Sequence, residues 1–280
     1  IYTLSLHDAL PIFGRDLGVV MALIIGIVGS LICVYAVGYM RDFQEQEGGR
    51  DRRPWFFFLS FLFLSAMFGI VFSNNLAWMF FFWEITTLCS FALIGYTKTE
   101  EAVNNSFRQL TLNLVGGIAF VSALILLADR YGTLSLAELL ATPDAEVAGW
   151  MLAAVMLLSL AGIAKSAQMP FHTWLLGAMV APTPTSALLH SSTMVKAGAF
   201  LLLKLSPLLH GNIGGDMVMA VGGATFLLAS MGAISQSNAK RVLAYSTIAN
   251  LGLIVACAGV GTPEAVCQRS EERRVGKECR

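Results

Sequence analysis

Apolar runs of about 20 residues follow one another along most of this 280-residue chain, and no other feature constrains its fold so strongly. A hydrocarbon core about 30 Å thick is crossed by about 20 residues of α-helix, because each residue rises about 1.5 Å. Spans are expected near 17–39, 54–73, 76–96, 108–129, 150–169, 185–205, 216–235 and 241–260. Between the fifth and sixth lies MPFHTWLLGAMVAPTPT, too short to cross alone and bounded by Pro170 and by Pro182 and Pro184. It fits the second half of a broken helix. The expected fold is therefore an all-α, polytopic transmembrane helical bundle, multi-pass in the cell inner (cytoplasmic) membrane.

Composition closes off other classes. With 56% hydrophobic and 13% charged residues and a mean hydropathy of +0.69, the chain is too apolar for a soluble domain with a polar shell. An ordinary cytosolic enzyme, a nucleic-acid binder and a disordered linker are excluded. The 18 basic and 18 acidic residues cancel, so no partner is drawn in mainly by charge.

The two ends differ in character from the rest. Residues 1–12, IYTLSLHDALPI, read as the translation of a short-read sequencing adapter, and residues 269–280, RSEERRVGKECR, as that of its reverse complement. Both are expected to be artefacts, which leaves 13–268 as a transmembrane segment of a longer protein. In that segment Cys33, Cys89, Cys257 and Cys267 form no C-x-x-C pair. They support neither a metal site nor a disulfide framework, and read as small residues filling helix contacts.

Basic residues in short loops set the orientation. If the spans alternate and the broken helix crosses once, Arg41, Arg50, Arg52, Arg53, Lys98, Arg108, Lys240 and Arg241 collect on one side, which is expected to be cytoplasmic. Arg15, Arg130 and the helix-end Lys204 fall on the other. The stretch 43–54 reads as a solvated loop, and 131–146 as a short amphipathic interfacial piece ended by Thr142 and Pro143.

Ionisable residues inside apolar spans are expensive, so each marks a candidate site. Four stand out: Glu84, Lys165, His190 and Lys196. Glu84 adjoins Trp83, which permits an interfacial reading, but its apolar flanks favour a functional carboxylate. Lys165 lies five residues before Pro170, whose missing N–H leaves the Ser166 carbonyl without its helical donor. Irregular backbone at membrane depth requires protein or a watery cavity around it, which favours a hydrated pocket over a snorkelling lysine. His190 and Lys196, six residues apart on one expected helix, lie on different faces, with Ser191, Ser192 and Thr193 between them to hold water or pack helices. Lys204 is expected to snorkel to the surface. A carboxylate, lysines and a histidine without a nucleophile, metal ligands or cofactor motif point to a proton path rather than a catalytic centre.

The stretches FFFWEITTLCSFALIGY, AGIAKSAQMPFHTWLLGAMVAPTPTSALLHSSTMVKAG and KRVLAYSTIANLGLI resemble the antiporter-like, proton-translocating membrane subunits. These subunits occur in respiratory complex I (NADH-quinone oxidoreductase), membrane-bound energy-converting hydrogenases and Mrp-type Na+/H+ antiporters. The resemblance implies two inverted five-helix repeats, each with a broken helix. This chain would hold a preceding helix, the first repeat over about 54–205 and the opening of the second. It implies that Glu84 partners Lys165 and that protons continue through His190 or Lys196. Lys240, near a helix start, matches a basic residue of the family, where a plain surface reading also works. It implies other membrane subunits as partners, no cofactor bound here, and protons or Na+ as the ion carried.

Gly117 stands where the largest subunit of complex I commonly has an acidic residue; Mrp-type and hydrogenase-type relatives resemble the glycine version, and several stretches resemble the hydrogenase-related members most. The expected function is proton translocation in the membrane arm of a redox-driven complex, with an Mrp-type Na+/H+ antiporter subunit as the alternative.

Overall fold

The computed structural model describes residues 6–47, 51–141, 149–191 and 193–261. Among them the chain is helical throughout: α1 (Leu6–Glu47), α2 (Arg53–Phe72), α3 (Leu76–Ile94), α4 (Glu100–Tyr131), a short α5 (Leu136–Leu140), α6 (Trp150–Lys165), α7 (Thr173–Gly177), α8 (Thr183–Ser191), α9 (Met194–Leu209), α10 (Ile213–Ile234) and α11 (Ala239–Val260). Short 3-10 turns follow α3 at Gly95–Thr97 and α7 at Ala178–Val180. Seven helical stretches, with α8 and α9 counted together, are long and apolar enough to cross a membrane, and α6 is a shorter apolar helix.

Helix starts follow local chemistry. The Asn75 side chain accepts from the amides of Ala77 (2.9 Å) and Trp78 (3.3 Å) and starts α3. Thr99 accepts from Ala102 (3.2 Å) at the start of α4, with Glu100 and Glu101 in the first turn, where the helix dipole favours acids. That cap carries α4 two turns ahead of the expected 108–129. Asn75→Ala should cost about 1 kcal/mol of thermal stability, the usual worth of such a cap, read as a lowered melting temperature of the assembled subunit. Before α2, Asp51 accepts from the Arg53 guanidinium at 2.9 and 2.8 Å. Those bonds hold its carboxyl down at about 2. Arg52 donates to the Tyr96 carbonyl (3.2 Å), pinning the loop end of α2 to the turn after α3.

Close approach is set by small residues, which is how helices pack where lipid offers no hydrophobic drive. A methyl on Gly116 of α4 would meet Ala164 Cβ of α6 at 2.9 Å. One on Gly198 of α9 would meet the Gly162 carbonyl of α6 at 2.4 Å. In the α10–α11 pair, Gly215 lies against Gly259 and Gly222 against Gly252. The outer faces stay apolar and exposed: Ile27, Leu31 and Val34 on α1, Ile118 and Ile125 on α4, and Leu227 and Met231 on α10.

Two expected spans are interrupted in the structure where the sequence reading made them continuous. The fifth, expected over 150–169, ends at Lys165, and α7 begins only at Thr173. The sixth, expected over 185–205 as one helix, is α8 and α9 with Thr193 between them at φ −131°, ψ −96°. His190 and Lys196 therefore stand on separate helices, and their expected placement on two faces of one helix does not apply. Lys204 is half-buried, its Nζ lying 4.6 Å from the ring centroid of Phe200, one turn earlier on α9. Thr142 and Pro143 lie outside the described residues.

Candidate functional site

Lys165 is the last residue of α6, and the chain leaves the helix immediately after it. Ala167 takes a left-handed backbone conformation (φ 53°), uncommon for a residue with a side chain. The break is held on all sides. Gln168 donates its backbone amide to the Ile163 carbonyl at 3.1 Å. The Trp174 indole reaches from α7 to the Ala164 carbonyl at 3.1 Å. The Met169 amide donates to Thr225 of α10 at 3.0 Å. The Ser166 carbonyl, deprived of its donor by Pro170, accepts from the Gln168 side chain at 3.0 Å. The expected orphan acceptor is thus satisfied from within the loop.

This scaffold fixes a lysine that is 1% exposed. Its ammonium donates to the Trp83 carbonyl (2.9 Å) and the Thr87 hydroxyl (2.7 Å) of α3, and lies 4.8 Å from the Trp83 ring centroid. The electron-rich ring face and the negative end of the α6 dipole both favour the cation. Trp83 and Thr87 lie four residues apart, so one face of α3 supplies all these contacts.

Glu84 leaves the same turn of α3 in a different direction. Its carboxylate lies against α4 at Gly117, and Oε1 is buried without a hydrogen-bond partner among the described residues. Lys165 and Glu84 interact electrostatically but make no ion pair within 4.0 Å in this conformation. Each group keeps its own surroundings, the lysine on Trp83 and Thr87, the carboxylate on α4.

A ribbon of buried polar side chains leads from the lysine. The Ser90 hydroxyl bonds the Thr86 and Thr87 carbonyls at 2.8 Å, Gln109 donates to Ser90 Oγ at 2.9 Å, and Asn113 donates to the Gln109 carbonyl at 2.9 Å. The side-chain oxygens of Gln109, Asn113 and Ser159 have no described partner. Leaving such an oxygen buried and unmatched costs about 1–3 kcal/mol, so each is a place that favours water. Sequence reasoning based on charge passed over these neutral residues. Gln109, Asn113 and Gly117 follow one another at four-residue intervals along a single face of α4, a polar and small stripe in an apolar span that would have found them.

His190, on α8, is 5% exposed, and both ring nitrogens lack a described partner. The Thr185 hydroxyl, on the same helix, is likewise unmatched. The Ser191 and Ser192 side chains lie outside the described residues, and Thr193 donates to the Leu188 carbonyl. Lys196 is half-buried in the first turn of α9. Lys240 is elsewhere: it is exposed in the first turn of α11 and lines a cavity of about 460 Å³ with Arg108, Arg241, Glu101, Asn105 and Tyr245. Three basic residues expected on one side of the membrane thus surround a single cavity. The structure brings Glu84 and Lys165 into one neighbourhood and leaves Lys240 at a polar mouth. Among the described residues no group of three or more His, Cys, Asp or Glu is placed to hold a metal ion.

The chain spans about a third of the curated relatives it matches. One is antiporter subunit mnhA2 of Staphylococcus aureus, 39% identical over 264 residues, covering 93% of this chain and 32% of that protein. Among solved structures, the Mrp complex from Dietzia sp. DQ12-45-1b superposes with a TM-score of 0.80 at 35% identity, covering 89% of this chain and 27% of that one. The membrane-bound sulfane sulfur reductase, an archaeal respiratory membrane complex, shares the fold with a TM-score of 0.73 at 24% identity, over 85% of this chain and 49% of that one. Residues 16–52 match the family described as NADH-ubiquinone oxidoreductase (complex I), chain 5 N-terminus. With residues 73–268 matching its main transmembrane profile, the chain belongs to the NADH:quinone oxidoreductase/Mrp antiporter transmembrane family.

Proposed function

We propose that this segment carries protons through a multisubunit complex of the cytoplasmic membrane, with Lys165 as the central carrier and Glu84 as the acid that biases it. His190 and Lys196 continue the path toward the rest of the subunit, and Lys240 serves the polar mouth. The observation that carries this reading is the full burial of Lys165 against neutral hydrogen-bond acceptors, with a carboxylate near it but not bonded to it. A buried ammonium next to a carboxylate keeps its proton, and one left alone in low dielectric releases it. At an effective dielectric near 20, two unit charges about 4 Å apart interact by about 4 kcal/mol, equal to about three pKa units. A small swing of Glu84 between Gly117 and Lys165 therefore suffices to load and unload the lysine. The unmatched oxygens of Gln109, Asn113 and Ser159 support water along the route.

The membrane arm of a redox-driven complex and an Mrp-type antiporter can both house this path. Identities of 39% and 35% to Mrp-type proteins favour cation/proton exchange as the process to which it is coupled. We also propose that residues 1–12 and 269–280 are no part of the natural subunit. The two family matches run from residue 16 to residue 268, which supports that reading.

The test is Glu84→Gln in the intact complex, in sealed vesicles carrying a pH-sensitive dye. Proton movement is expected to fall by about 100-fold or more, within the range that a positioned proton-transfer group contributes. Wild-type rates in a fully assembled complex would sink the proposal. Driving the same vesicles with a Na+ gradient, and separately with an electron donor, separates exchange from redox coupling.

A further inference from the structure

Gly117 touches the proposed site without any side chain to act there. An ideal Cβ at this position would lie 2.8 Å from Glu84 Oε1, 3.5 Å from its Cδ and 3.9 Å from Oε2. The three nearest of its neighbours from outside α4's own backbone all belong to Glu84, and no backbone of another helix is among them. The neighbouring glycine is of a different kind: a Cβ on Gly116 would meet Ala164 Cβ at 2.9 Å and Ala161 backbone at 3.4 Å. Gly116 thus sets the distance between two helices, whereas the space left by Gly117 is filled by one carboxylate. Both glycines are helical, so neither is required by backbone conformation.

We propose that Gly117 is a positioning residue for Glu84: the bare α4 surface at 117 is the seat into which the carboxylate fits when it is away from Lys165. This rests on the reading of Glu84 as the biasing acid and adds what determines its resting place. A side chain at 117 closes the seat and drives the carboxylate off α4. Because the displaced group is the far end of a flexible side chain, the helices keep their packing.

The experiment compares Gly117→Ala, Glu84→Asp, Glu84→Gln and the double variants in the intact complex. Gly117→Ala is expected to assemble normally and to lower proton transport by about 10-fold to 100-fold, the scale on which misplacement by about an ångström acts. The Glu84 carboxyl band in infrared difference spectra, identified as the band that Glu84→Gln removes, should shift. Adding Glu84→Asp, one methylene shorter, should restore Gly117→Ala to the rate of Glu84→Asp alone. Adding Gly117→Ala to Glu84→Gln should cost nothing further in rate if the glycine acts only through the acid's charge and place.

An unshifted band, or no rescue by the shorter acid, overturns the proposal. If Gly117→Ala fails to assemble, the Gly117→Ala/Glu84→Asp pair should assemble; failure of both overturns it too. Wild-type transport by Glu84→Gln would instead remove the proposed function, and the band shift would still decide where the carboxylate sits.

Discussion

Proton transport should fall by at least about 100-fold in Lys165→Ala, the low end of what a positioned proton carrier contributes, while the complex still assembles. The large effect follows from the absence of a substitute nearby. Thr87, Ser90, Gln109 and Asn113 around the lysine are neutral and exchange protons only by passing them on. Glu84 lies against α4 rather than in the lysine's place. Assembly should survive because truncation removes the cation with its desolvation cost and leaves two acceptors that have other bonds or room for water. The Thr87 hydroxyl already donates to the Trp83 carbonyl at 3.2 Å. Dye-monitored proton uptake in vesicles, normalised to assembled complex, gives the answer; undiminished uptake would leave the bundle a scaffold and place the path elsewhere.

Gly198→Ala should have the opposite profile, a failure of packing rather than of chemistry. Its new methyl would lie 2.4 Å from the Gly162 carbonyl oxygen and 2.5 Å from the Ser166 amide nitrogen. Both are backbone atoms of the α6 end, and neither can turn aside. Relief requires α9 to move off α6, which should cost about 3 kcal/mol, the upper part of the usual range for overpacking. The yield of assembled complex and its thermal midpoint should both drop. Gly223→Ala on α10, where a Cβ meets nothing within 4 Å, should leave both unchanged. An unperturbed Gly198→Ala complex would mean that α6 and α9 do not meet as closely as the structure has them.

The sequence made the crossings legible because apolar length is a direct statement about the bilayer, and Pro170 disclosed that the fifth helix is broken. It did not disclose where. Ser166 to Met169 continues a helix-like pattern, and the departure from it depends on Ala167 adopting a left-handed conformation held by contacts from α7 and α10. The division of α8 from α9 carried no proline or glycine; HSSTM offers only hydroxyls that compete for backbone hydrogen bonds, a weak signal inside an apolar run. The ionisable groups at Glu84, Lys165 and His190 stood out because such groups are rare in apolar spans. Their mutual geometry did not, since the offset between Glu84 and Lys165 depends on how α3, α4 and α6 meet. The contact of Lys204 with Phe200 was legible by contrast, because the two stand four residues apart on α9 and so share a face.

The seven residues between α6 and α7 behave as a gauge rather than a tether. Ser166, Ala167, Gln168, Met169 and Phe171 each donate a backbone or side-chain hydrogen bond to a fixed neighbour, whether within the loop, back along α6 or across to α10. Loops ordinarily absorb added or missing residues at little cost. Here one residue more or less would shift Trp174 off the Ala164 carbonyl or Met169 off Thr225, and the end of α6 with them. In such chains the span from Lys165 to Thr173 should therefore stay constant in length even where its letters change.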